Sequence, residues 1–174
     1  MQKSTIAPGT LSQTNLLEGL LDSWDRNNRI LVNLQRSIPE DRLRTKAMDG
    51  GPSIAELFTH IHYVRLVFVA EDAPEFAEPL PNQEWQAEIC RDRMADMLNH
   101  SAKTLLQAVK SRLESARQMD LHYDHPVLML QHMIWHEGYH HGQIKLALKI
   151  AGHALSDKEI GPLTWGVWMN RPTT

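Results

Sequence analysis

The chain has 174 residues with a net charge of -3; it is 42% hydrophobic and 22% charged. That is enough chain for one domain with a real core, and the composition is that of a soluble globular protein. No basic stripe offers itself to nucleic acid, no stretch is apolar and long enough to span a bilayer, and the N-terminus MQKSTIAPGT has no signal-peptide core. The expectation is therefore one domain over residues 1–174 in a reducing cytoplasm, with no nucleic-acid or membrane partner. The single cysteine, Cys90, has no internal partner for a disulfide and carries no catalytic signature.

Four helical segments follow in order. The first runs from about Ser12 to Ser37, where Leu17, Leu20, Leu21, Trp24, Leu31 and Leu34 recur at helical spacing. Asn27 and Asn28 fall where the apolar stripe should continue, so burial there would demand hydrogen-bond partners. Pro39 ends the helix, and Gly50-Gly51 breaks the chain again. The second segment starts at Pro52-Ser53, with Glu56 completing a capping-box pattern, and runs to about Ala70. Glu71 to Gln83 contains Pro74, Pro79 and Pro81 and reads as a loop able to cover one end of a bundle. The third segment is expected over about Glu84 to Gln118, its apolar side beginning with Trp85 and Ile89. The fourth opens near Pro126 and stops at Gly152. Leu163 to Trp168 reads as an arm that packs back. No segment reads as a strand. Four long amphipathic helices bury their apolar faces against one another, so the expected fold class is all-α, a four-helix bundle with long connections and a short C-terminal arm.

Histidine is the unusual residue. There are ten, five of them between Tyr123 and Gln143. His136 and His140 are four apart and so share one side of a helix, one turn apart, within reach of a common metal ion. Neutral imidazole suits zinc, nickel or iron, and a site with an open position needs a third protein ligand. His60, in an otherwise apolar helical run, is the best candidate, although a core histidine bonded to a carbonyl would leave the same trace. His62 points away from His60, His132 is two turns from His140, and His125 reads as a loop or capping residue.

Three motif readings compete. His136-Glu137-Gly138-Tyr139-His140 is literally HExxH, the zincin protease pattern with Glu137 as general base. A third ligand in the extended form is missing, since residues 143 and 146 are glutamine and leucine, and a protease needs a sheet edge that this chain lacks. A di-iron bundle requires Glu-x-x-His twice, and only one copy is present. The third reading is a mononuclear site in a four-helix bundle. On LFTHIHYVR (Leu57 to Arg65) and MIWHEGYHHGQIKLALKIAG (Met133 to Gly152), the chain resembles the DinB/YfiT-like family of metal-dependent enzymes over nearly its whole length.

That resemblance implies a four-helix bundle, often dimeric, in which His60, His136 and His140 hold zinc, nickel or a similar divalent ion. His141 stands where the family often has arginine, while Gly142 and Gln143 follow its pattern. The resemblance also implies a small-molecule substrate and chemistry with a low-molecular-weight thiol cosubstrate, such as bacillithiol or mycothiol, transferred to an electrophile. Glu137 and Gln143 are the candidate catalytic residues beside the metal, with an interhelical or supporting role as the alternative for Glu137. Asn27 or Asn28 is a candidate for orienting a ligand imidazole. Two other functions fit the same residues: hydrolysis by a metal-bound water, and a non-enzymatic metal-binding or stress-response bundle.

Overall fold

A computed structural model describes residues 13–169. Four long helices make the body: α1 (Gln13–Ser37), α2 (Ile54–Asp72), α3 (Arg91–Glu114) and α4 (Pro126–Ile150). Two short helices, α5 (Asp157–Ile160) and α6 (Gly166–Met169), follow. The described residues contain no strand, only an isolated antiparallel bridge between Lys46 and Ser53. The expected start at Ser12 lies outside them. The result is the all-α bundle, and no helix among the described residues is long and apolar enough to cross a membrane.

α2 is the central helix. Its buried residues, among them Ile54, Phe58, Ile61, Arg65, Leu66 and Val69, lie on several sides, because α2 packs on both α3 and α4. α1 closes the other side of α3 with Trp24, Leu31 and Leu34, whose indole N–H donates to the Ala102 carbonyl at 2.9 Å in the case of Trp24. The termini behave as their residues dictate. Ser53 Oγ accepts from Glu56 N–H while the Glu56 carboxylate accepts from Ser53 N–H at 2.6 Å, a reciprocal cap that fixes where α2 begins. His125 caps α4 by accepting from Val127 N–H. Gly152, at φ +77°, ends it: Gly152 N–H donates to Lys149 and His153 N–H to Leu148.

The third helix differs from its expected span. It begins at Arg91, not Glu84, and residues 84–90 lie outside any helix. Trp85 and Ile89 share a helical spacing by coincidence; Glu84 and Trp85 are drawn instead to a histidine of α2, as described below. The prolines do interrupt the chain after α2, but residues 73–90 form one long strap in place of a loop ending at Gln83. The strap is held to α3 by Glu78, which accepts from Thr104 Oγ1 at 2.8 Å and pairs with His100. The C-terminal arm packs back on α1: Arg26 donates to the Val167 carbonyl at 2.6 Å and Asn33 to that of Leu163 at 2.7 Å.

Candidate metal centre

The i, i+4 spacing on α4 brings the Nε2 atoms of His136 and His140 to 2.9 Å. From α2, His60 Nε2 lies 3.2 Å from His136 Nε2. One ligand atom from each of the three rings lies within 4.8 Å of the others, so the cluster could hold a metal ion. Residues 76 positions apart in sequence thus meet because α2 and α4 pack together.

The partners of the opposite ring nitrogens define the tautomers. His60 Nδ1–H donates to Glu84 Oε1 at 2.7 Å, and His140 Nδ1–H donates to Gln143 Oε1 at 2.7 Å. Each ring carries its proton on the outer nitrogen and turns the Nε2 lone pair inward. His136 Nδ1 is buried without a hydrogen-bond partner among the described residues. At most one proton, on His136 Nε2, can stand among three mutually facing nitrogens. A cation resolves that crowding, and the spacing suits one: tetrahedral zinc with Zn–N of about 2.0–2.1 Å sets ligand nitrogens about 3.3 Å apart.

The environment keeps all three imidazoles neutral, the form a metal requires. Burial, with added repulsion from His140 and His60, pushes His136 down to about 3. Burial and His140 lower His60 against the opposing pull of Glu84. Burial also lowers His140, opposed by its bond to Gln143 and by the charge of Glu137. A flat indole completes the site: Trp85 of the strap stacks on His60 with ring centroids 4.1 Å apart and planes 3° from parallel.

Behind the histidines lies a buried polar network. The Glu137 carboxylate, 1% exposed, accepts from Arg65 Nε at 2.6 Å and Nη2 at 2.8 Å, and from Asn27 Nδ2 at 2.5 Å. Arg65 Nη1 donates to Asn28 Oδ1 at 3.0 Å and to the Leu98 carbonyl at 2.7 Å, and its guanidinium lies 4.9 Å from the centre of the Trp24 ring. One arginine therefore ties α2 to α1, α3 and α4. Asn27 and Asn28 do have the partners their burial demands, but these are Glu137, Arg65 and Asn99; neither hydrogen-bonds a ligand imidazole. Both oxygens of Glu137 are committed to this network.

The remaining histidines stand apart from the three. His62 is buried on α2, with its pKa pushed down to about 4 chiefly by that burial. His132 borders the site, 6.4 Å from the His136 ring centroid, and shares a 2.6 Å hydrogen bond with the Tyr123 hydroxyl. His141 turns to a separate cavity with Asn27, Glu137, Trp165 and Trp168. Sequence reasoning missed Glu84, Trp85 and Arg65. Arg65 had a legible signal, since a charge inside an apolar helical run needs a buried acid. Glu84 and Trp85 had none, because only the path of the strap brings them to His60.

The fold and the site together define an all-α bundle with a candidate three-histidine mononuclear centre between two of its helices. The profile of the DinB family matches residues 11–157. The chain belongs to the DinB family. Among curated proteins and among solved structures there is no match to the chain.

Proposed function

We propose that this chain is a metal-dependent enzyme that presents a low-molecular-weight thiol to an electrophilic small molecule, acting in the cytoplasm as a homodimer. His60, His136 and His140 hold one divalent ion, zinc or nickel. The observation that carries this reading is the inward convergence of three neutral imidazole nitrogens, two of them fixed by Glu84 and Gln143. A cation on three neutral ligands with a free position supplies Lewis acidity that stabilises the deprotonated form of a thiol or of water.

The carboxylates favour the thiol. Glu137 is bound on both oxygens, and Glu84 accepts the proton of His60, so the acids nearest the rings are engaged. A thiol starts at a pKa of about 8.5 and bulk water near 15.7, so on the same cation the thiol is the more readily deprotonated ligand. Gln143 holds His140 in the ligating tautomer and Glu84 does the same for His60. Glu137, with both oxygens accepting hydrogen bonds, acts through Arg65 on helix placement. Dimerisation is supported by an apolar stripe on the outer face of α4: Leu128, Trp135, Tyr139, Leu146 and Ile150 recur at intervals of seven and four, and Trp135 is 70% exposed.

The test is elemental analysis of untagged protein beside its His136→Ala variant, followed by a panel of electrophiles assayed with small thiols. One equivalent of metal in the wild type, none in the variant, and thiol-dependent turnover in the wild type alone are expected. Metal-replete protein that turns over no electrophile with any thiol would refute the assignment.

A further inference from the structure

A cavity of about 300 Å³ lies beside the candidate centre, lined by Lys46, Gly50, Gly51, Pro52, Glu56 and Trp85. Two of its walls are tied to the histidines. Glu56 precedes His60 by four residues on α2, so it sits on the same helix face about 6 Å along the axis. Trp85 forms another wall and stacks on His60 itself. The cavity is thus one helical turn from the place where a reacting atom would sit.

Its charges are arranged as a pair of opposite, available groups. Lys46 makes no ion pair within 4 Å among the described residues. The Glu56 pKa is lowered from its ordinary value, first by its hydrogen bonds with Ser53 and in part by Lys46. The helix cap engages Glu56 through Oε2, which accepts from Ser53 N–H at 2.6 Å, while the carboxylate also lines the cavity. The Lys46–Ser53 bridge and the bonds from Ile54 N–H to Thr45 and Ala55 N–H to Leu43 fix the segment bearing Lys46 against the start of α2. Lysine and glutamate are therefore held by backbone, not by each other.

We propose that this cavity is the recognition subsite for the substrate's head group, and that it selects a zwitterion of the α-amino-acid type. The carboxylate of that head meets Lys46, its ammonium meets Glu56, and the intervening carbon framework lies on Trp85. This assignment rests on the thiol reading above, since it places an amino-acid head one turn from the histidines that would receive the sulfur. It goes further in naming which small molecules enter: those with a carboxylate and an ammonium on neighbouring atoms, in preference to esters, simple alkyl thiols or phosphates.

The test uses thioethers, which fill the subsite without a free thiol to ligate metal. Binding of S-methyl-L-cysteine, its methyl ester and its N-acetyl derivative is followed by the Trp85 indole N–H resonance, assigned with Trp85→Phe. The zwitterion is expected to bind the wild type most tightly. Lys46→Met weakens it and the N-acetyl acid about tenfold while leaving the ester unchanged, and Glu56→Gln, which retains an oxygen for the cap, weakens the zwitterion and ester similarly while sparing the acid. Equal binding of all three ligands, or no movement of the Trp85 resonance with any of them, overturns the subsite. Zwitterion binding of the expected pattern in a protein that turns over no thiol upholds the subsite and removes the thiol-transfer reading instead.

Discussion

Glu137→Gln separates a structural from a chemical use of the glutamate in HExxH. The carboxylate accepts three hydrogen bonds, from Arg65 Nε and Nη2 and from Asn27 Nδ2, at 1% exposure. An amide has one acceptor oxygen, so in either orientation its NH2 faces at least one donor, and the guanidinium loses its counter-charge. Breaking one side of such a buried pair costs about 3–5 kcal/mol. For a chain of this length that lowers Tm by about 6–20 °C. Urea and thermal unfolding of the metal-free protein read the effect directly, and metal stoichiometry measured at a temperature where the variant is folded should stay at one. Arg65→Met combined with Glu137→Leu should recover part of the loss, because it removes both charges together. A Glu137→Gln protein within about 1 kcal/mol of wild type that nonetheless loses all turnover would refute this account and return the glutamate to the chemistry.

Three further outcomes follow from the same geometry. His60→Ala should abolish stoichiometric metal binding while α2 stays folded, checked by elemental analysis and circular dichroism; full metal content would dissolve the proposed ligand set. His62 has its folded pKa depressed to about 4, against an unfolded value near 6.5, so its contribution is present above pH 6.5 and is lost as pH falls toward 4. His62→Gln should accordingly lose less stability than wild type between pH 7 and pH 5 in urea titrations, by at most about 1.4 kcal/mol per pH unit. Trp135→Glu should convert a dimer to a monomer in light scattering without changing metal content; a wild type that is already monomeric would refute the α4 interface.

The helices were legible because each carries its own stop signals. Pro39, the Ser53–Glu56 box, Pro126 and Gly152 all act locally, and each sits at a boundary in the folded chain. The His136–His140 pair was legible for the same reason, since i and i+4 on one helix need no tertiary information. His60 was legible only as a candidate: its apolar neighbours mark a buried face without saying which helix covers it. The strap was the failure. Trp85 and Ile89 mimic an amphipathic start to α3, while the forces that decide their fate, a carboxylate on His60 Nδ1 and an indole on its ring, come from a helix more than twenty residues away. Glu137 was legible only as two alternatives: the short motif offered a role in the chemistry, and the buried arginine that engages both its oxygens offers the interhelical one.

Glu84 and Trp85 are consecutive residues with different duties toward one imidazole. The first sets the basicity of His60 through its Nδ1 proton; the second covers its face and walls the neighbouring cavity. Any insertion, deletion or re-routing of the strap must move both together. Selectivity for what enters the cavity and the electron-donating strength of a ligand are thus linked by a single peptide bond, and remodelling this loop to admit a new compound would retune the centre in the same step.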